Sequence, residues 1–130
     1  MIKIPALDLK AEMMSILGTF SHQVDEALDE AMRTTAEEAA EKLKQVSPKG
    51  KGKGKGKYAK GWGFTADKGR QVYTVHNKNH YQLTHLLEKG HDVVVNGVKV
   101  GHAKAYPHIA DVEAWVQEEA PKRFEEALEQ

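Results

Sequence analysis

Cysteine is absent from the 130 residues, which excludes a disulfide framework and thiolate chemistry and fits a reducing compartment. Long apolar runs are missing too. Nothing in "MIKIPALDLKAEMMSILGTF" approaches the roughly 20 apolar residues of a membrane span, and Asp8 and Glu12 interrupt what would otherwise pass for a signal segment. A soluble protein outside the secretory route, with no membrane partner, is expected. Catalytic signatures are equally scarce. Ser15, Ser21 and Ser47 lie on the N-terminal helical stretch or at its end, none in a GxSxG context, and the carboxylates sit on two helical ends at the spacings of solvated faces. The expectation is a non-enzyme with no catalytic residue and no cofactor.

Net charge is also lacking, because 19 basic and 19 acidic residues cancel, yet they are not mixed along the chain. Residues 1–47 carry −4, residues 48–104 carry +9 and residues 105–130 carry −5. A basic centre between acidic ends either balances within the molecule or builds a surface complementary to another copy or partner. The centre opens with "SPKGKGKGKGKYAKGWGF", in which five lysines and four glycines alternate from Lys49 to Lys57. A phosphate-binding loop needs a strand before it, a Ser or Thr after its lysine and a helix behind it, whereas this tract follows a helix, precedes a strand and has no such Ser or Thr. A flexible basic loop at 48–57 suits it better, with a coil-like end-to-end distance of ~17 Å. Lys49, Lys51, Lys53, Lys55, Lys57 and Lys60 are then candidates for non-specific, salt-dependent contact with DNA phosphates, against the alternative of a solvated spacer.

Periodicity supplies the elements. Met14, Leu17, Phe20, Val24, Leu28, Ala31, Thr35, Ala39, Leu43 and Val46 recur at gaps of three or four, the stripe of an amphipathic helix from Asp8 to Val46, weakest at Gly18 and ended by Ser47-Pro48. "KGWGFTA" and "RQVYTVHN" alternate as strands around a turn at Ala66-Asp67-Lys68-Gly69. "HYQLTHLLEKG" returns to helical spacing and closes on Gly90, while "DVVVNGVKV" places two β-branched runs around Asn96-Gly97, the dipeptide preferred in a type I′ hairpin. A last helix carries Ile109, Val112, Trp115, Val116, Phe124 and Leu128 on one face, with a kink or restart at Pro121. The fold class is α+β: a single domain over 1–130, with a long N-terminal helix, a small antiparallel sheet with a short helix between hairpins, and a kinked C-terminal helix.

Six of the seven histidines, His76, His80, His85, His91, His102 and His108, fall within 33 residues. They lack HExxH spacing and cysteine partners, so packing or surface roles are expected and no metal. Trp62, Phe64, Tyr73, Tyr81, Tyr106 and Trp115 are expected as core anchors.

Three passages in order carry a family resemblance: "SPKGKGKGKGKYAKGW", "VHNKNHYQLTHLLEKGH" with its Asn before a His-Tyr pair and its Leu-Leu-Glu-x-Gly helix end, and "AYPHIADVEAW" entering the last helix. Together they resemble the tail-completion or head-tail joining proteins, also described as minor capsid or tail components, of long-tailed bacteriophages and prophages. The resemblance spans residues 47–116, and the Lys-Gly tract departs from that family's short connection. It implies a structural protein of the virion neck or tail, present in the host cytoplasm during assembly, oligomerising as a ring and meeting the head connector and the tail-tube or tail-terminator proteins. A ring around the DNA passage would give the basic loop an address against packaged DNA. A small nucleic-acid-binding module with a basic loop is the alternative, and a histidine-liganded metal protein a weaker third.

Overall fold

The computed structural model describes residues 2–5, 22–49, 56–67 and 72–128. In chain order the elements are β1 (Ile2–Pro5), α1 (His22–Val46), α2 (Lys57–Lys60), β2 (Trp62–Asp67), β3 (Val72–Asn77), α3 (Tyr81–Lys89), β4 (His91–Val95), β5 (Val98–Ala103) and α4 (Ala110–Leu128). The mixed helix and sheet expected from periodicity is therefore present. The stretch of the N-terminal stripe from Asp8 to Ser21, Gly18 included, lies outside the described residues.

Helix α1 buries Val24, Leu28, Ala31, Thr35, Ala39 and Leu43 of the predicted stripe, together with Ala27, Met32, Ala36 and Ala40 beside them. Alanine at four or more of these positions lets neighbouring elements approach the helix axis closely. Thr35 is buried without a distant partner because its Oγ1 donates back to the Ala31 carbonyl at 2.6 Å. The stripe does not extend to Val46, which is exposed, and Ser47 takes the next buried place.

Two layers pack on α1. One is an antiparallel sheet of order β1-β3-β2, with Ile2 and Phe64 both opposite Val75 and Trp62 opposite Asn77. Its alternation turns Ile2, Ile4, Tyr73, Val75 and Trp62 inward and leaves the other face to solvent. Strand β2 runs on through Ala66 and Asp67, so those two residues belong to the ladder and not to the turn predicted there. Strand β1 is an element that the periodicity did not reveal. Tyr73 ties sheet to helix by donating its hydroxyl to Asp29 at 2.6 Å; burial and that carboxylate push the phenol up to about 12, which keeps the proton in the bond.

The other layer is α4, which lies along α1 and buries Val112, Val116, Ala120 and Phe124. It runs as one helix through Pro121, so no new helix starts there. Arg123 bonds Glu38 across the helix pair and Glu119 on its own helix, and both Arg123 and Lys42 lie over the Trp115 ring.

Phe124 is fully buried at the α1–α4 contact. Truncation to alanine there is expected to cost about 3–5 kcal/mol, read as a lower urea midpoint with an unchanged slope; a shift within error would show that the two helices do not share this core.

A buried polar root and an exposed valine hairpin

Where α1 ends, the loop returns and the sheet begins, the chain assembles a small buried polar cluster. The Trp62 indole donates to Ser47 Oγ at 2.7 Å, and Ser47 in turn donates to the Leu43 carbonyl. Tyr58 on α2 sits edge-on to Trp62 and to His108, with its hydroxyl 2.7 Å from His108 Nε2. His108 Nδ1 is 2.8 Å from the Tyr106 carbonyl, an acceptor only, so Nδ1 carries the proton and Nε2 receives the one from Tyr58. Burial, then the negative charge of Glu88, push the Tyr58 phenol well above its ordinary range and hold it in that donor role. Asn77 completes the cluster: its Nδ2 donates to the Tyr58 carbonyl at 2.6 Å, while its Oδ1 accepts from the backbone of Asn79 and His80.

The Lys-Gly tract leaves and re-enters at this cluster. Gly56 N donates to the Lys49 carbonyl at 2.7 Å, so the two ends meet and the tract spans no distance. This corrects the ~17 Å separation expected of a free coil. Lys49, Lys57 and Lys60 are exposed around the entry point, and Lys51, Lys53 and Lys55 lie outside the described residues.

A second support holds α3. Glu88 Oε1 accepts from the backbone N–H groups of His108 and Ile109 at 2.7 and 2.9 Å, and its Oε2 accepts from Ala110 at 3.1 Å. These are the free donors at the start of α4, where the helix dipole also favours a negative charge. Burial opposes the charge on Glu88, but the three donors and His108 outweigh it and hold the carboxyl below its usual range. Tyr106 N adds a bond to the Leu87 carbonyl at 2.6 Å.

From the end of α3 the chain enters the β4–β5 hairpin. Gly90 takes φ 77°, and a Cβ there would lie 2.7 Å from the Ala103 carbonyl, so only glycine fits between helix and hairpin. At the tip Asn96 and Gly97 have φ 51° and 79°, as a type I′ turn requires. Among the described residues the two strands pair only with each other. One face shows Asp92 bonded by Lys99 at 3.2 Å and His102 at 3.0 Å. The opposite face pairs Val93 with Gly101 and Val95 with Val98 and carries no formal charge; a register shift after Val93 adds Val100. Val94, Val95, Val98 and Val100 are 57%, 52%, 62% and 61% exposed.

Burying such a side chain is worth about 1.5–3 kcal/mol. Val93, Val95, Val98 and Val100, left in water on one face of a two-stranded hairpin, make an apolar patch of the kind that marks an interaction site. Sequence reading identified the hairpin but not its exposure. Tyr81 and Tyr106, expected in the core, are exposed as well, because α3 meets the body through Leu87 and Glu88 and buries no residue fully. Of the histidines whose burial is described only His108 is buried, and the described residues contain no cluster arranged to hold a metal ion. No described helix is long and apolar enough to cross a membrane.

The family model described as "Bacteriophage HK97-gp10, putative tail-component" matches residues 11–90. No curated protein and no solved structure matches the chain.

Because the Glu88 carboxyl lies below the ordinary value of 4.5 in the folded chain, its contribution to stability is complete above that pH and is lost as pH falls through the lower folded value. Glu88→Gln is expected to cost about 1–2 kcal/mol at neutral pH and to flatten the acid limb of the stability curve. Denaturant titrations from pH 3 to 7 with an unchanged acid limb would refute the arrangement.

Proposed function

The chain belongs to the HK97-gp10-like family of phage tail components, and from that premise we propose that it oligomerises as a ring at the head-tail junction and completes or joins the tail during assembly. As a member of that family it is a structural protein of the virion that works through contacts with other virion proteins. The observation that carries the finer reading is the hairpin face: an uncharged set of valines, held away from the core, in a chain whose family builds tails. A monomer gains nothing from that face, whereas a subunit in an assembly covers it. Its partners in this reading are further copies of itself, the head connector and the tail-tube or tail-terminator proteins, met in the host cytoplasm before the virion is complete.

Within such a ring the loop at 48–57 would be a basic excursion from one fixed point, offering Lys49, Lys51, Lys53, Lys55, Lys57 and Lys60 to the DNA passage. The bond between its ends and the exposure of Lys49, Lys57 and Lys60 support this placement. Contacts of this kind are to phosphates and read no sequence. The same lysines serve the second reading, a nucleic-acid-binding module acting by itself, which requires DNA affinity from the monomer.

A phage lacking this gene is expected to accumulate filled heads and separate tails, counted in negative-stain micrographs; normally joined virions would overturn the proposal. Replacing residues 50–55 by Gly-Gly turns the Gly56–Lys49 bond into that of an ordinary β-turn. Folding should survive with a melting temperature within about 2 °C, while DNA titrations across salt should lose about 0.9 of slope for each phosphate-contacting lysine removed. An unchanged slope would remove DNA from the role of this loop.

A further inference from the structure

No residue from Lys78 to Pro107 is buried, and every buried residue described lies before or after that span. Helix α3 and the β4–β5 hairpin occupy it. Local stability follows buried apolar contact, and a two-stranded hairpin is marginal by itself, so this arm separates from the rest more easily than the core comes apart. Its fastening is correspondingly narrow. Leu87 packs against the core, Glu88 accepts from the N–H groups of His108, Ile109 and Ala110, and Asn77 Oδ1 accepts from Asn79 and His80 where the arm begins. Beside the Glu88 contact lies an open cleft of about 310 Å³, with Thr84, His85 and Lys89 of α3 on one side and Ile109 and Glu113 on the other.

Within the arm the pieces are bonded to one another. Gly90 N donates to the Leu86 carbonyl at 2.8 Å, and Tyr106 N to the Leu87 carbonyl at 2.6 Å. Gly90 lies so close to the returning strand that an added Cβ would sit 2.7 Å from the Ala103 carbonyl and 3.0 Å from Ala105 N. Asp92 on β4 holds Lys99 and His102 on β5. The two ends of the arm, by contrast, are fixed at a single residue of the body. Asn77 Nδ2 donates to the Tyr58 carbonyl and His108 Nε2 accepts from the Tyr58 hydroxyl, so the chain leaves and returns at one place.

We propose that residues 79–106 open from the body as one unit, pivoting where Asn77 and His108 both hold Tyr58, with the Glu88 carboxylate as the latch. Opening parts Glu88 from the start of α4 and Leu87 from the core, while α1, the three-stranded sheet and α4 stay folded. The valine face of the hairpin thereby changes direction without loss of the core. The device belongs to the single chain and does not depend on the tail-joining reading.

Native-state hydrogen exchange on the full chain, read by NMR, tests it. The bonded amides of α3 and of the hairpin should share one opening free energy, lower than that of the α1 amides from Ala27 to Leu43. Val116→Ala truncates the α1–α4 core, which the open form keeps, so it should speed exchange along α1 about tenfold and leave the arm unchanged. Glu88→Gln weakens only the closed form, so it should speed the arm about tenfold, and α1 by the same factor. Equal acceleration of arm and α1 by Val116→Ala would mean that the arm opens only with global unfolding, and overturns the proposal. Separate opening energies for α3 and the hairpin overturn it as well, as does an arm whose exchange ignores Glu88→Gln.

Discussion

The position of α3 and of the hairpin that follows it depends on one carboxylate. Glu88 reaches from α3 to the three free N–H groups at the start of α4, and the hairpin follows α3 without a linker. Without Glu88 those donors would lose their partner beside a partly buried helix end, at a cost of about 1–3 kcal/mol for each one left unsatisfied. Helix α3 has little else to secure it, since it buries no residue fully and joins the core through Leu87. One charged group at a helix N-terminus therefore sets the direction of an arm whose own strands touch mostly each other.

A second constraint governs the Lys-Gly tract. Ser47 and Trp62 fix the chain before and after it, Tyr58 and His108 fix the turn that follows it, and the bond from Gly56 to Lys49 closes its base. Loop-closure entropy grows only as the logarithm of length, with a doubling costing about 0.6 kcal/mol. A loop pinned this way can be extended at almost no cost to the fold, which explains how a basic tract is accommodated where the resembling family has a short connection. What the tract adds is charge at a fixed point, not reach between two elements.

The elements legible in the sequence were those with strong local periodicity. Residues from Val24 to Leu43 show their buried face by spacing alone, and Asn96-Gly97 and Gly90 announce their turns because few other residues tolerate those backbone angles. What stayed hidden depends on distant partners. Strand β1 is four residues with too few alternations to register, and it is defined by its pairing with β3. His108 resembles five neighbouring histidines in sequence and is distinguished only by Tyr58, 50 positions away. Valines at 93–100 predict a strand equally well whether a core or water covers them, so their exposure, the most informative feature of the surface, had no local signal.

The charge segregation acquires a physical sense from the fold. The two acidic stretches contain α1 and α4, which pack on each other through apolar faces, with Arg123 bonded to Glu38 across the pair and to Glu119 on its own helix. The basic stretch contains the loop, α2, α3 and the hairpin, where Lys49, Lys57, Lys60, Lys89 and Lys99 are exposed. Part of the balance is local to α1 and α4: Arg33 pairs with Glu30 and Glu37, Lys44 with Glu41, Lys122 with Glu118, and Arg123 with Glu38 and Glu119. The carboxylates in excess of those pairs keep the helix pair acidic, so a basic partner surface would be favoured there over another acidic one. In any such interface apolar burial would supply the affinity and the charges would decide which faces meet.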